Sequence, residues 1–134
     1  MSFRVVMLMN RKFARYFEVD ARIIPVSKES NYCLDITKIK ENCDENTIGK
    51  ATFYYTDSGI FVILGSTYTG HYEPVAEVAK LLDELQQETG IDVPIHVDGA
   101  SGAMFCPFAT PSVDFGFNIP RVKSINAYIT TIPQ

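Results

Sequence analysis

The sequence predicts an α/β fold, a mostly parallel sheet with flanking helices, and three stretches carry that prediction. "GIFVILGS" (59–66) is an unbroken apolar run, β-branched and aromatic, bounded by glycines, which is the pattern of a strand buried on both faces of a parallel sheet. After the polar loop "STYTGHY", Val75, Val78, Leu82 and Leu85 recur at helical spacing. "VPIHVDGA" (93–100) is a second buried strand. Strand, helix and strand joined by short connections predict parallel strands and a right-handed crossover.

Taken in chain order, "KFARYFE" (12–18) places Phe13, Ala14 and Phe17 at helical spacing. "ARIIPVS" then reads as an extended segment, with Pro25 demoting it toward a sheet edge. In "LDITKIKENCDEN" Asp35 is the expected N-cap of a short surface helix that turns Ile36, Ile39 and Cys43 to one side. Pro74 suits the first helical position of the central helix and Gly90 its close. Lys80, Asp83, Glu84 and Glu88 fall mostly on that helix's polar side. "RVKSINAYIT" follows a loop containing Pro107, Pro111 and Pro120 and reads as a further strand. The expected strands are 22–27, 60–66, 94–99 and 123–129.

With 134 residues, 46% of them hydrophobic and 21% charged, the chain suits one globular domain. The net charge of −4 and the scattered Lys and Arg argue against a nucleic-acid partner. The apolar run Val5–Met9 is far short of a membrane span, so no membrane partner is expected. Cys33, Cys43 and Cys106 are odd in number and lack C-x-x-C spacing, which argues against a zinc knuckle and a disulfide framework and suits a reducing, cytoplasmic setting; they read as small buried hydrophobes. His71 falls in a polar loop and reads as solvated.

The chemistry concentrates at the strand ends. Ligands of open α/β sheets settle beyond the carboxyl ends of parallel strands, here Ser66-Thr67 and Asp98-Gly99-Ala100. Strand alternation puts His96 and Asp98 on one face, so His96 is placed to support Asp98 from behind. A buried carboxylate needs a cation or several donors, and a protonated heteroaromatic nitrogen would serve, with the small residues 99–103 letting a ring lie close to the backbone.

"STYTGHYE", "ETGIDVPIHVDGASGAMFCPF" and "PRVKSINA" together resemble the glutamate decarboxylase family, pyridoxal-phosphate (PLP) enzymes of the aspartate-aminotransferase fold type. The resemblance is close over about residues 60–127 and implies that residues 1–134 are part of the large domain of a PLP-dependent decarboxylase. It further implies that Asp98 pairs with the pyridinium nitrogen, Ala100 packs on the ring face and Thr67 contributes a hydroxyl contact. The implied reaction converts L-glutamate to 4-aminobutanoate and CO2, in a homo-oligomer whose interface lies largely outside this chain.

Two segments depart from the family pattern. Residues 50–59, "KATFYYTDSG", read as an insertion, and 128–134, "YITTIPQ", as a foreign tail; their edges can be encoded by sequences resembling splice junctions, making both candidates for translated intron. By register Thr131 stands where the family has its PLP-tethering lysine, and a hydroxyl cannot take that role. Lys123 belongs to the ordinary "RVKSI" segment and is not a substitute. The isolated chain is therefore expected to be inactive. Two other readings stay open: a non-catalytic α/β fragment that binds full-length subunits or folds poorly, and a PLP-dependent decarboxylase of another amino acid.

Overall fold

The computed structural model describes residue 16, residues 22–43 and residues 59–128. The helix expected at 12–18, apart from the helical Tyr16, lies outside the described residues, as do the insertion except Gly59 and the tail beyond Tyr128, Thr131 included. The chain divides into two compact units, 1–42 and 43–134.

In the first unit the strand expected at 22–27 is reduced to a single bridging residue, Val26, which is buried. Pro25 removes the backbone donor that a longer ladder would need. Ser27 and Ser30 then close a tight turn, the Ser30 hydroxyl donating to the carbonyl of Cys33 at 2.8 Å. The turn carries Asn31 and Tyr32 in the left-handed region, at φ 52° and 58°. Asp35 caps as expected, accepting from the Thr37 N–H at 3.1 Å and the Thr37 hydroxyl at 2.6 Å. What it caps is a pair of 3-10 turns, Ile36–Lys38 and Lys40–Asn42, with Ile39 fully buried.

The second unit contains a three-stranded, all-parallel sheet in the order β1 (Ile60–Ile63), β2 (Ile95–Gly99), β3 (Val122–Ala127). Helix α1 (Val75–Thr89) connects the first two strands, and a short helix α2 (Cys106–Ala109) interrupts the loop before β3. α2 was not anticipated; Pro107 is tolerated there because the first turn of a helix needs no N–H from it. Pro74 is the N-cap of α1, one position before its expected place, and Gly90 closes the helix in the left-handed conformation at φ 75°. Val75, Val78, Ala79, Leu82 and Leu85 of α1 are buried together with Val62, Leu64, Val93, Ile95 and Val97. Each full burial of such an aliphatic side chain stabilises by about 1.5–3 kcal/mol.

The sheet is covered less evenly than its apolar strands suggest. Pairing of Val62 with Val97 and of Phe61 with His96 defines its two faces. The Val62–Val97 face is buried, whereas Phe61 on the other is 48% exposed and His96 only half-buried, so among the described residues the strands are not buried on both faces. The β2–β3 register also shifts: Ile95 pairs with Val122 but His96 pairs with Ser124, leaving Lys123 as the extra residue. That one-residue offset turns Ser124 and Asn126, rather than Lys123 and Ile125, toward the face of His96 and Asp98.

Candidate cofactor site

At the carboxyl end of the sheet the chain leaves β1 through Leu64 and Gly65 and folds back, with Leu64 bridging Tyr72. The Ile63 N–H on this edge is taken by the carboxylate of buried Glu73, at 2.6 Å. Between these anchors runs a tight turn, in which the Gly70 N–H donates to the Ser66 carbonyl at 2.7 Å and the Ser66 N–H to that of His71 at 3.0 Å. Thr67 sits exposed on this turn, and its hydroxyl makes no hydrogen bond among the described residues. His71 is exposed, as a loop histidine should be.

Asp98, at the end of β2, is 7% exposed. Its Oδ1 accepts from Asn126 Nδ2 at 3.0 Å and from the Ala100 N–H at 3.3 Å. Oδ2 receives nothing from the described residues, and no fully buried side-chain oxygen among them lacks a partner, so Oδ2 keeps an opening to the outside. A carboxylate held by one oxygen with the other available is suited to accept a single N–H from a cationic ring. Ala100 follows, half-buried, and Ser101 is exposed.

The small residues beyond Asp98 have a reason of their own. A Cβ on Gly99 would stand 2.5 Å from the Ala103 Cβ, and one on Gly102 would stand 2.3 Å from the Leu64 carbonyl oxygen. A Cβ on Gly65, itself at φ 85°, would meet the Gly102 Cα at 2.9 Å. The space left by these three glycines is occupied by the chain itself, which corrects the expectation that the whole stretch was kept small for a ring.

His96 makes no hydrogen bond to Asp98 among the described residues. Its Nε2 lies 3.1 Å from Asn126 Oδ1 and its Nδ1 2.6 Å from Ser124 Oγ, with the Phe61 ring tilted against it at 5.0 Å between centroids. Asn126 thus stands between the two residues expected to be neighbours. Sequence reading missed Asn126 and Ser124 because their placement depends on the register of two strands far apart in sequence; i, i+2 alternation in "KSINA" was the one available signal.

The opposite end of the sheet is tied down by buried Arg121. It donates to the carboxylate of Asp83, to Asp92 at 2.8 Å, to Gln86 at 2.5 Å and to the Val93 carbonyl at 3.1 Å. These bonds fasten α1 and the start of β2 to the start of β3 and leave the carboxyl end of the strands free of that cation. No helix of the described residues is long and apolar enough to cross a membrane.

Residues 5–129 match the pyridoxal-dependent decarboxylase conserved domain. A glutamate decarboxylase of Aliivibrio fischeri is 43% identical over 116 residues, covering 87% of this chain and 23% of the relative. One of Arabidopsis thaliana is 46% identical over 115 residues, covering 86% of this chain and 21% of the relative. The solved glutamate decarboxylase of Lactobacillus brevis is similar in structure, with a TM-score of 0.78 at 28% identity over 92% of this chain and 25% of that one. The chain spans a quarter or less of the length of each. With a parallel α/β sheet, a half-engaged carboxylate at the carboxyl end of its central strand and a family match along nearly its whole length, this chain belongs to the pyridoxal-dependent decarboxylase family.

Proposed function

We propose that this chain is the ring-binding part of a glutamate decarboxylase, taking PLP against Asp98. The observation that carries the reading is the carboxylate of Asp98, held by Asn126 and Ala100 through Oδ1 alone, in a chain 43–46% identical to glutamate decarboxylases. Bound PLP supplies an electron sink for the electrons released as L-glutamate loses CO2, with a proton then added to give 4-aminobutanoate. Asp98 Oδ2 accepts from the protonated ring nitrogen and holds the proton there. The two bonds to Oδ1 prevent the carboxylate from rotating away. Ala100, with a single methyl, leaves the ring face unobstructed, and the Thr67 hydroxyl is available as a contact.

Within this reading the substrate is an acidic amino acid and the active assembly a homo-oligomer of longer chains. Three cysteines, odd in number and without C-x-x-C spacing, support a reducing, cytoplasmic setting. Thr131 at the register of the tethering lysine supports an isolated chain that holds PLP weakly and releases no CO2.

The test is a PLP titration of the purified chain followed by absorbance, with borohydride trapping and a CO2 assay on glutamate. Expected are weak PLP binding that Asp98→Ala reduces at least tenfold, no trapped lysine adduct and no CO2. Equal affinity of the two proteins would sink the Asp98 assignment; a trapped lysine with turnover would overturn the inactive reading.

A further inference from the structure

We infer that Asn126 is a positioning residue, an amide of fixed polarity that joins Asp98 and His96 into one directed hydrogen-bond chain. The inference rests on Asp98 being the ring-nitrogen partner, and it goes beyond that reading by naming what sets the carboxylate's orientation. A carboxylate only accepts, so the end of the Asn126 amide facing Asp98 Oδ1 is Nδ2, as found at 3.0 Å. The other end, Oδ1, also only accepts. The His96 nitrogen 3.1 Å from it must therefore carry a proton, which makes neutral His96 the Nε2–H tautomer. Nδ1 is then left as an acceptor for the Ser124 hydroxyl at 2.6 Å. The proton directions run without a break from Ser124 to His96, to Asn126 and to Asp98 Oδ1.

Two further observations give this chain a purpose at the ligand end. The direction of every bond in it is dictated by the carboxylate, so the amide directs one donor at Oδ1 and leaves Oδ2 for a ligand. The offset at Lys123 is also what delivers both Ser124 and Asn126 to this face; without it Ile125 would stand beside Asp98. A polar edge strand with no role would not need two of its side chains turned onto this one pair.

The chain contains only two histidines, His71 and His96, so ring tautomers are directly readable by long-range 1H–15N NMR on the full labelled chain above pH 8, without cofactor. His96 is expected to show a single Nε2–H form, with exposed His71 as the averaged internal reference. Asn126→Ala is expected to release His96 into a mixture of tautomers, whereas Ser124→Ala keeps Nε2–H because the amide still demands it. PLP affinity should fall about tenfold in Asn126→Ala, the loss of one bond to a charged acceptor. A His96 ring in the Nδ1–H form, or identical tautomer populations in the parent and Asn126→Ala, overturns the proposal. If Asn126→Ala does not fold, the parent and Ser124→Ala decide alone: Nε2–H in both supports it and Nδ1–H in either overturns it. If the tautomers behave as stated but PLP affinity is the same in the parent and in Asp98→Ala, the directed chain stands and the ring-nitrogen reading of Asp98 alone fails.

Discussion

Asp98 and Gly102 lie four residues apart and are held by opposite means, one by hydrogen bonds to its carboxylate and the other by the absence of a side chain. Gly102→Ala would drive a methyl to 2.3 Å from the Leu64 carbonyl oxygen, backbone that cannot swing aside, and should cost about 2–3 kcal/mol in urea unfolding. Ser101→Ala, at an exposed neighbour, should change the same midpoint by less than about 0.5 kcal/mol. Cys106 offers a chemical check: burial pushes its thiol pKa up. In the native chain it should react with iodoacetamide far more slowly than the same thiol in urea. A thiol whose pKa is raised on folding adds stability that is complete below its unfolded value, about 8.5, and is lost as pH rises through the folded value. Stability should thus decline on the alkaline side, and the decline should be smaller in Cys106→Ala. Asp98 itself was legible in the sequence as an acid after an apolar strand, while the purpose of Gly99 and Gly102 was not, because the atoms that exclude a Cβ there come from the loop itself and from the end of β1.

The strand–helix–strand unit was the most legible part of the chain, since a 3.6-residue period between two apolar runs admits few arrangements. Every residue of the expected α1 stripe is buried. Its C-terminus depends on Gly90 at φ 75° with open space around it, so Gly90→Ala should destabilise by about 1 kcal/mol through backbone strain alone, measured by thermal unfolding. Arg121 clamps the other end of the unit and is buried against partners that are themselves solvent-accessible, Asp83 at 58% and Asp92 at 68% exposed. Arg121→Leu should cost about 2 kcal/mol, less than breaking a wholly buried pair, because both acids it abandons return to water. The expected strand at 22–27 and the missed α2 show where pattern fails: in both, a proline decides the outcome, through a missing donor in one and a harmless first-turn position in the other.

Across the whole molecule, the family and the parallel α/β fold were legible in contiguous motifs, whereas every feature that depends on strand register was not. The link from His96 through Asn126 to Asp98 spans 30 residues of sequence and hinges on a single offset residue. The surface carries a further consequence of composition: Phe105 at 70%, Phe108 at 86% and Phe117 at 66% exposure present aromatic area to solvent around α2. The isolated chain should bind an apolar dye such as ANS and self-associate in sedimentation experiments, and Phe108→Ser should weaken both while leaving the urea midpoint nearly unchanged. The contacts of Gly65 and Gly102 act at this same scale. The loop bearing Thr67 and the loop bearing Asp98 and Ala100 meet main chain to main chain, with no side chain as a spacer between them. The spacing of these two loops is accordingly a property of the backbone, and a Cβ at either glycine would force them apart. Substitutions elsewhere in the two loops can change what they present to solvent, whereas one at Gly65 or Gly102 changes how closely the loops approach.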